Sequence, residues 1–377
     1  MIEPTLRGNE ITHEGVAAIC DDPVLREYQK FLYMAHAHNL MRYTLDNKLV
    51  AERAGVEFDC HGNQGGFLAL NSYPLLISEF VDQVWFEGAG LSQYDMFRYH
   101  WANAHGVMRF ILGLASAHGK PLLCMTELGK EDPELLEHEY AESCAGGGVL
   151  FAQQVAFEEP QLEVLRQFWQ FRHDHRALFA QEGRSRHAQV ALLFSIPTQM
   201  YAEYRSNVRA PHFNDVSGVG RTLMEAHIPF DALILHHPEM RADDWTAEDL
   251  QRYRLVILPS VECISDEQIE RLAQYLAGGG RIAVVGEFGV RDEDNLPRPA
   301  SALDRLRAAG DVVQLLDGGH FFFNRQTESE ATRAVVQQAA AEVREALGGE
   351  TLLSGPIPRM LWTTTWRHQA EGADLLS

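Results

Sequence analysis

Short apolar runs that end in polar residues recur along this chain with helical stretches between them, and that alternation restricts the folds open to it. The clearest run is Lys120-Pro-Leu-Leu-Cys-Met-Thr-Glu127-Leu-Gly, which closes on a single carboxylate and passes at once into a loop. About twenty residues on, Gly147-Gly-Val-Leu-Phe-Ala-Gln-Gln154 repeats the pattern. Short buried strands separated by helices are the signature of βα units with a parallel sheet. In a β/α barrel, a polar residue at the C-terminal end of a strand faces the active-site mouth. Glu127 is therefore a candidate for chemistry, its plainer alternative being a carboxylate paired with a neighbouring Lys or Arg.

The first region runs over residues 1–185. Asp22-Pro23 reads as an N-cap with proline at the first helical position, and the helical period continues through Arg53. The segment from Gly55 through His61, Asn63 and Gln64 reads as a strand opening into a glycine-rich polar loop, and Phe80 to Gly88 as a strand ending in Trp85 and Glu87. With the two runs above, this makes four strands in a β→α rhythm, each with polar residues at its C-terminal end. Four units are half of an eight-stranded barrel, or a small open sheet.

A second region, 186–325, repeats the rhythm with different loops. Strands are expected at His187 to Ser195, Phe230 to Leu235, Leu255 to Pro259 and Arg281 to Gly286, with a helix over Ser217 to Ala226 and a capped helix starting at Ser265. This is the pattern of a doubly wound α/β domain of flavodoxin or amidotransferase type. The remainder, 326–377, holds an Ala/Glu/Gln-rich helix over Thr327 to Leu347 and a β-branched, aromatic tail, Arg359 to His368, suited to a strand. A hairpin without a complete second strand implies a chain cut inside a β domain.

Charge and cysteines exclude several classes. A net charge of -21 disfavours nucleic acid and anionic membranes as partners, because phosphate binding needs clustered Lys and Arg. No apolar run is long enough to span a membrane, and the N-terminus lacks a signal-peptide core. The 5 cysteines form no CxxC pair, which points to reduced thiols in a cytoplasm rather than a disulfide framework or zinc knuckle. The pairs His36/His38, His173/His175 and His236/His237 lack metal-ligand spacing and read as solvated or hydrogen-bonded histidines.

In this order of parts, the chain resembles the glycoside hydrolase family 42 β-galactosidases, in which a catalytic barrel precedes an amidotransferase-like trimerisation domain and a small β domain. The resemblance rests on the Lys120–Glu127 strand, on Ala-Gly-Gly-Gly-Val-Leu-Phe-Ala-Gln-Gln up to Gln154, and on Tyr253-Arg-Leu-Val-Ile-Leu-Pro with Ile-Ser-Asp-Glu-Gln and Leu-Ala-Gly-Gly-Gly-Arg-Ile. It implies a partial (β/α)8 barrel, about strands four to eight, followed by a flavodoxin or class I amidotransferase-like domain. Glu57–Asn63, Phe80–Gly88, Lys120–Glu127 and the Gly147 run would be strands five to eight. Nothing matches strands one to three, so truncation at both ends is expected.

The resemblance implies a retaining mechanism with Glu127 as nucleophile. The acid/base closes an Asn-Glu pair in that family, and the pair here is Asn9-Glu10, so Glu10 is the candidate, with Glu87 in reserve. Asn9, His61, Asn63 and Gln64 are candidates for holding sugar hydroxyls, and Trp85 for stacking on a sugar ring, or for the core. No cofactor or metal is expected; a carbohydrate substrate and a homo-oligomer, a trimer in the full-length protein, are. Two alternatives stand: an amidotransferase-type enzyme in the second region, opposed by the turn Val285-Gly286-Glu287 without Cys, Ser or Thr, and a catalytically inactive carbohydrate-binding or oligomerisation protein. A half barrel also exposes apolar edges, so self-association is expected.

Overall fold

The computed structural model describes residues 22–60, 80–87, 120–126, 133, 136–137, 140, 148–152, 158–179, 184–202, 211–321, 330–353, 355, 366–370 and 373–376. It begins with α1 (Pro23–Ala54), a helix of 32 residues. The Asp22 side chain accepts from Val24 N, Pro23 fills the first turn, and Gly55 closes the helix at φ 68. That left-handed turn is open to glycine without steric cost. Both ends of α1 were thus encoded locally.

Three strands follow: β1 (Val84–Glu87), β2 (Leu122–Thr126) and β3 (Val149–Ala152). They form one parallel sheet in the order β1-β2-β3. The expected strand at 57–63 is corrected in its described part: residues 56–60 form no strand. Cys60 instead makes a single clasp with Asp82, whose side chain accepts from Cys60 N while Asp82 N donates to Cys60 O at 2.8 Å. One clasp holds the chain beside β1 without starting a ladder, and Val56 and Phe58 stay exposed.

After α2 (Glu159–Asp174), α3 (Arg176–Phe179) and β4 (Arg184–Arg186) comes the second sheet. Its strands are β5 (Val190–Ser195), β6 (Phe230–Leu235), β7 (Leu255–Pro259), β8 (Arg281–Val285) and β9 (Asp311–Gln314). All five are parallel, in the order β6-β5-β7-β8-β9, the 2-1-3-4-5 order of flavodoxin-like doubly wound sheets. Helices α4 (Ile196–Ala202), α5 (Pro211–Glu225), α6 (Ala247–Leu250), α7 (Asp266–Ala277), α8 (Ala302–Ala309) and α9 (Glu330–Ala346) supply the crossovers and flanks. The α5 helix starts ahead of the Ser217 expected from sequence.

Strand β5 shows why both faces are covered. Val190, Leu192 and Phe194 enter one core with Val219 and Leu223 of α5 and Val336 and Val343 of α9. Ala191 and Leu193 enter the other, with Ile269 and Leu272 of α7 and Leu306 of α8. Alternate residues of a strand face opposite sides, so a continuous apolar run requires a layer on each. The first core continues through Leu136, Tyr140 and Phe168 to Val84 of β1. The tail forms a hairpin, β10 (Trp366–Ala370) and β11 (Ala373–Leu376), whose first strand pairs antiparallel with β4. No described helix is long and apolar enough to cross a membrane.

Candidate functional site

The C-terminal ends of β1, β2 and β3 lie side by side. Glu87, the last residue of β1, is in register with Met125, and Thr126, the last of β2, is in register with Ala152. Glu127 is the next residue of the chain after the central strand of this sheet. Of the residues singled out from sequence, Trp85 and Glu87 are placed on β1, beside the strand that leads to Glu127. Glu127, Glu10, Asn9, His61, Asn63 and Gln64 lie outside the described residues.

Strand β2 is entered through Lys120, which donates to the carbonyl of Val81. Val84 N returns a bond to Pro121 O at 3.0 Å. These contacts set the register of β1 on β2 before the first ladder pair. Asp82, held below the ordinary carboxylate range by Lys48 and the Cys60 amide against the opposing effect of its burial, anchors the same entry to α1.

In open α/β sheets, ligands enter where the strand order reverses, at the carboxyl ends of the strands. Here that place is between β5 and β7, and side chains of the chain itself bridge it. His212 of α5 donates from Nδ1 to Pro259 O at 2.6 Å and accepts from Ser195 N on Nε2 at 3.0 Å, bridging the two strands where they part. Burial pushes its pKa down to about 4, partly offset by the bond to the Pro259 carbonyl, so the ring is neutral. Ser195 Oγ donates to Cys263 O, Thr198 N donates to Ser195 Oγ, and Cys263 N donates to Thr198 Oγ1. Among the described residues these bonds join β5, α4, α5 and the segment after β7 at the switch point.

The adjacent turn carries no nucleophilic side chain. Gly286 follows β8 at φ 63, the bend where a nucleophile would stand, and a Cβ built there would lie 2.4 Å from both Ser260 Oγ and His320 Cε1. Ser260 and His320 both bind Asp215 of α5, which also accepts from Phe321 N at 2.6 Å. A Ser, a His and an Asp meet here: Ser260 Oγ and His320 Nδ1 both bind the Asp215 carboxylate and lie 3.2 Å from each other. Ser260 gives its proton to Asp215 and is fully buried, so the trio fastens β7 and the segment after β9 to α5. The hydrogen bond to Asp215 raises the His320 pKa against partial burial. Replacing Gly286 with Ala should destabilise the fold by roughly 2–4 kcal/mol, from a left-handed φ and overpacking together. An unchanged urea midpoint would contradict that.

One described group has a metal-like donor set: His237, Glu239 and Asp294, with ligand atoms all within 4.8 Å of one another. Lys30 of α1 already supplies a cation there, its Nζ 2.7 Å from Glu27, 2.8 Å from Glu239 and 2.9 Å from Asp294. Burial alone would lower the Lys30 pKa, but the three carboxylates outweigh it and raise it. His237 is held neutral by burial and hydrogen-bonds Asp294 at 3.2 Å. The His236/His237 pair is therefore buried rather than solvated, and His237 serves a clasp between α1 and the loops after β6 and β8. Sequence reading missed this because its members are up to 264 residues apart.

No protein-family model matches the chain. Over 53 residues it is 36% identical to the β-galactosidase Bga of Halorubrum lacusprofundi, a stretch covering 14% of this chain and 8% of that protein. Among solved structures, a polyextremophilic β-galactosidase from the same haloarchaeon matches with a TM-score of 0.56 at 15% identity, covering 80% of this chain and 47% of its own. The β-galactosidase of Bacillus circulans sp. alkalophilus matches with a TM-score of 0.54 at 16% identity, over 74% and 43%. Gan42B, a GH42 β-galactosidase from G. stearothermophilus, matches with a TM-score of 0.52 at 16% identity, over 79% and 45%. The chain spans less than half the length of each of these structures. In fold, then, it resembles part of the GH42 β-galactosidases.

Proposed function

We propose that this chain is part of a retaining glycoside hydrolase acting on β-galactosides or related β-glycosides. In this reading β1, β2 and β3 are the sixth, seventh and eighth strands of a (β/α)8 barrel. Glu127 attacks the anomeric carbon to form a glycosyl-enzyme; Glu10 protonates the leaving oxygen and then activates the water that releases the sugar. Such a pair stands about 5–5.5 Å apart in retaining enzymes. Asn9, His61 and Asn63 hold sugar hydroxyls, Trp85 offers an aromatic face and Glu87 is the reserve carboxylate. The observation that carries the reading is that β2, central in a parallel sheet, ends one residue before Glu127 in a fold whose solved neighbours include β-galactosidases.

The five-stranded unit is read as the amidotransferase-like oligomerisation domain, residues 186–325, between a barrel part, 1–185, and a third part, 326–377. The glycine at 286, with no nucleophile at that turn, supports a role without chemistry of its own. The protein would act in the cytoplasm, as a trimer at full length, without a cofactor.

The test is incubation with a mechanism-based fluorosugar probe, which arrests a retaining enzyme as its glycosyl-enzyme, followed by mass spectrometry of the digest. One sugar on the peptide containing Glu127 is expected. Label on another carboxylate would move the nucleophile. Neither label nor turnover on any aryl glycoside would favour the inactive, carbohydrate-binding or oligomerisation reading.

A further inference from the structure

The register of the three-stranded sheet sorts its positions onto two faces. Paired positions of parallel strands share a face, and neighbours along a strand alternate. Val84 shares one face with Leu122, Phe86 and Cys124. Val84 is buried in the core that holds Leu136, Tyr140 and Phe168, so this is the face that the helices cover. The opposite face carries Trp85, Leu123 and Val149 in one row and Glu87, Met125 and Phe151 in the next. Glu87 is the one ionisable residue of those two rows, and no Lys or Arg occupies the same face of these described strands. The next position of β2 on that face is 127. In a β/α barrel the face turned away from the helices is the interior. A carboxylate on an otherwise apolar interior keeps its charge only with a hydrogen-bonding partner.

We propose that Glu87 sets the substrate class of the site: it binds hydroxyls of a neutral terminal sugar, on the side of the ring away from the bond being cut, and refuses sugars that carry a negative charge there. This rests on the reading of Glu127 as the nucleophile of a retaining glycosidase. With β2 continued by one residue, position 127 stands one strand across and two residues beyond position 87. At about 4.8 Å between strands and about 3.3 Å per residue, the two lie about 8 Å apart. Strand C-termini face the mouth of a barrel, so position 87 is the deeper of the two. With the anomeric carbon at Glu127, the sugar ring spans that interval and its far hydroxyls come over position 87. The leaving group points to the mouth, which separates this role from protonating the leaving oxygen. An ionised carboxylate accepts from two neighbouring hydroxyls at once, and such charge-assisted bonds are stronger than neutral ones. The same charge repels a uronic acid or a sulfated sugar, the more so where water is excluded. Leu123, Met125 and Phe151 in the adjoining positions have no group that could neutralise an acidic substituent. Attraction for one substrate combined with repulsion of its competitor is how a site discriminates.

The test compares kcat/KM for a nitrophenyl β-galactoside and the matching β-galacturonide, in the full chain and in Glu87→Gln. The parent should prefer the neutral sugar by about a thousandfold or more. A parent that hydrolyses both equally well overturns the proposal without any variant. Gln keeps the size and hydrogen-bonding reach of Glu but not its charge. The variant should therefore lose about tenfold to a hundredfold on the galactoside and gain on the galacturonide, so that the preference narrows. A merely structural role would lower both substrates alike and leave their ratio unchanged. The fluorosugar probe, run on both proteins, separates the two readings. Label on Glu127 in each, with an unchanged ratio, overturns the role of Glu87 and leaves the nucleophile standing. Label on neither, with no turnover of either glycoside, overturns both.

Discussion

Glu127→Gln should lower turnover of an aryl β-galactoside by roughly three orders of magnitude or more, a loss of about 4 kcal/mol or more in transition-state stabilisation. The amide matches the carboxylate in shape, so the fold and its thermal midpoint should be retained, but it cannot displace a leaving group to form a glycosyl ester. The measurement is kcat/KM beside a far-UV melt on the same preparation. A variant that melts normally and turns over normally would remove Glu127 from the chemistry, and Glu87 at the end of the neighbouring strand would be next to replace. Loss of activity with loss of the melt would instead make Glu127 a structural carboxylate. Glu10→Gln should behave differently. Removing an acid/base hurts substrates with poor leaving groups far more than activated ones, whereas loss of the nucleophile hurts both.

The second large effect is on stability against acid. His212 is fully buried and neutral, with its pKa lowered from 6.5 to about 4 chiefly by burial. Protonation would place a second N–H on Nε2, facing the N–H of Ser195 that now donates to it. A lowered folded pKa means that the unfolded chain takes up the proton first. The His212 contribution is therefore complete above pH 6.5 and is lost as pH falls toward 4. With 1.36 kcal/mol per unit, the loss across that window is on the order of 3 kcal/mol. Urea midpoints at pH 7.5 and pH 4.5 for the parent chain and His212→Gln would read it. The parent should lose markedly more stability on acidification than the variant, which has no proton to gain there. Equal pH slopes would mean that His212 titrates normally and that the β5–β7 bridge is more open to water than its burial implies.

Where the physics is local, the sequence already specified this protein. Asp22, Pro23 and Gly55 bound α1 because a cap, a fixed φ and a left-handed turn each act within a few residues. Ser265 caps α7 with Gln268 in a reciprocal box for the same reason. The runs at Val190–Ser195 and Leu255–Pro259 became strands buried on both faces because no amphipathic arrangement could place them. The segment at 56–60 looked like a strand by its alternation of Val, Glu, Phe, Asp and Cys, yet among the described residues it is none, since strand identity depends on a ladder partner that alternation cannot provide.

Only the tertiary structure decided which distant side chains would meet. Lys30 found Glu239 and Asp294, and Asp215 collected Ser260, His320 and the Phe321 amide across up to 106 residues. His212 reached Ser195 and Pro259, bridging the two strands at the point where the order of a doubly wound sheet reverses. Periodicity reports which residues share a face of one element and says nothing of which element comes to cover that face. For that reason the burial of Lys30, Ala37, Thr44 and Ala51 on α1 could be read only after the chain had folded.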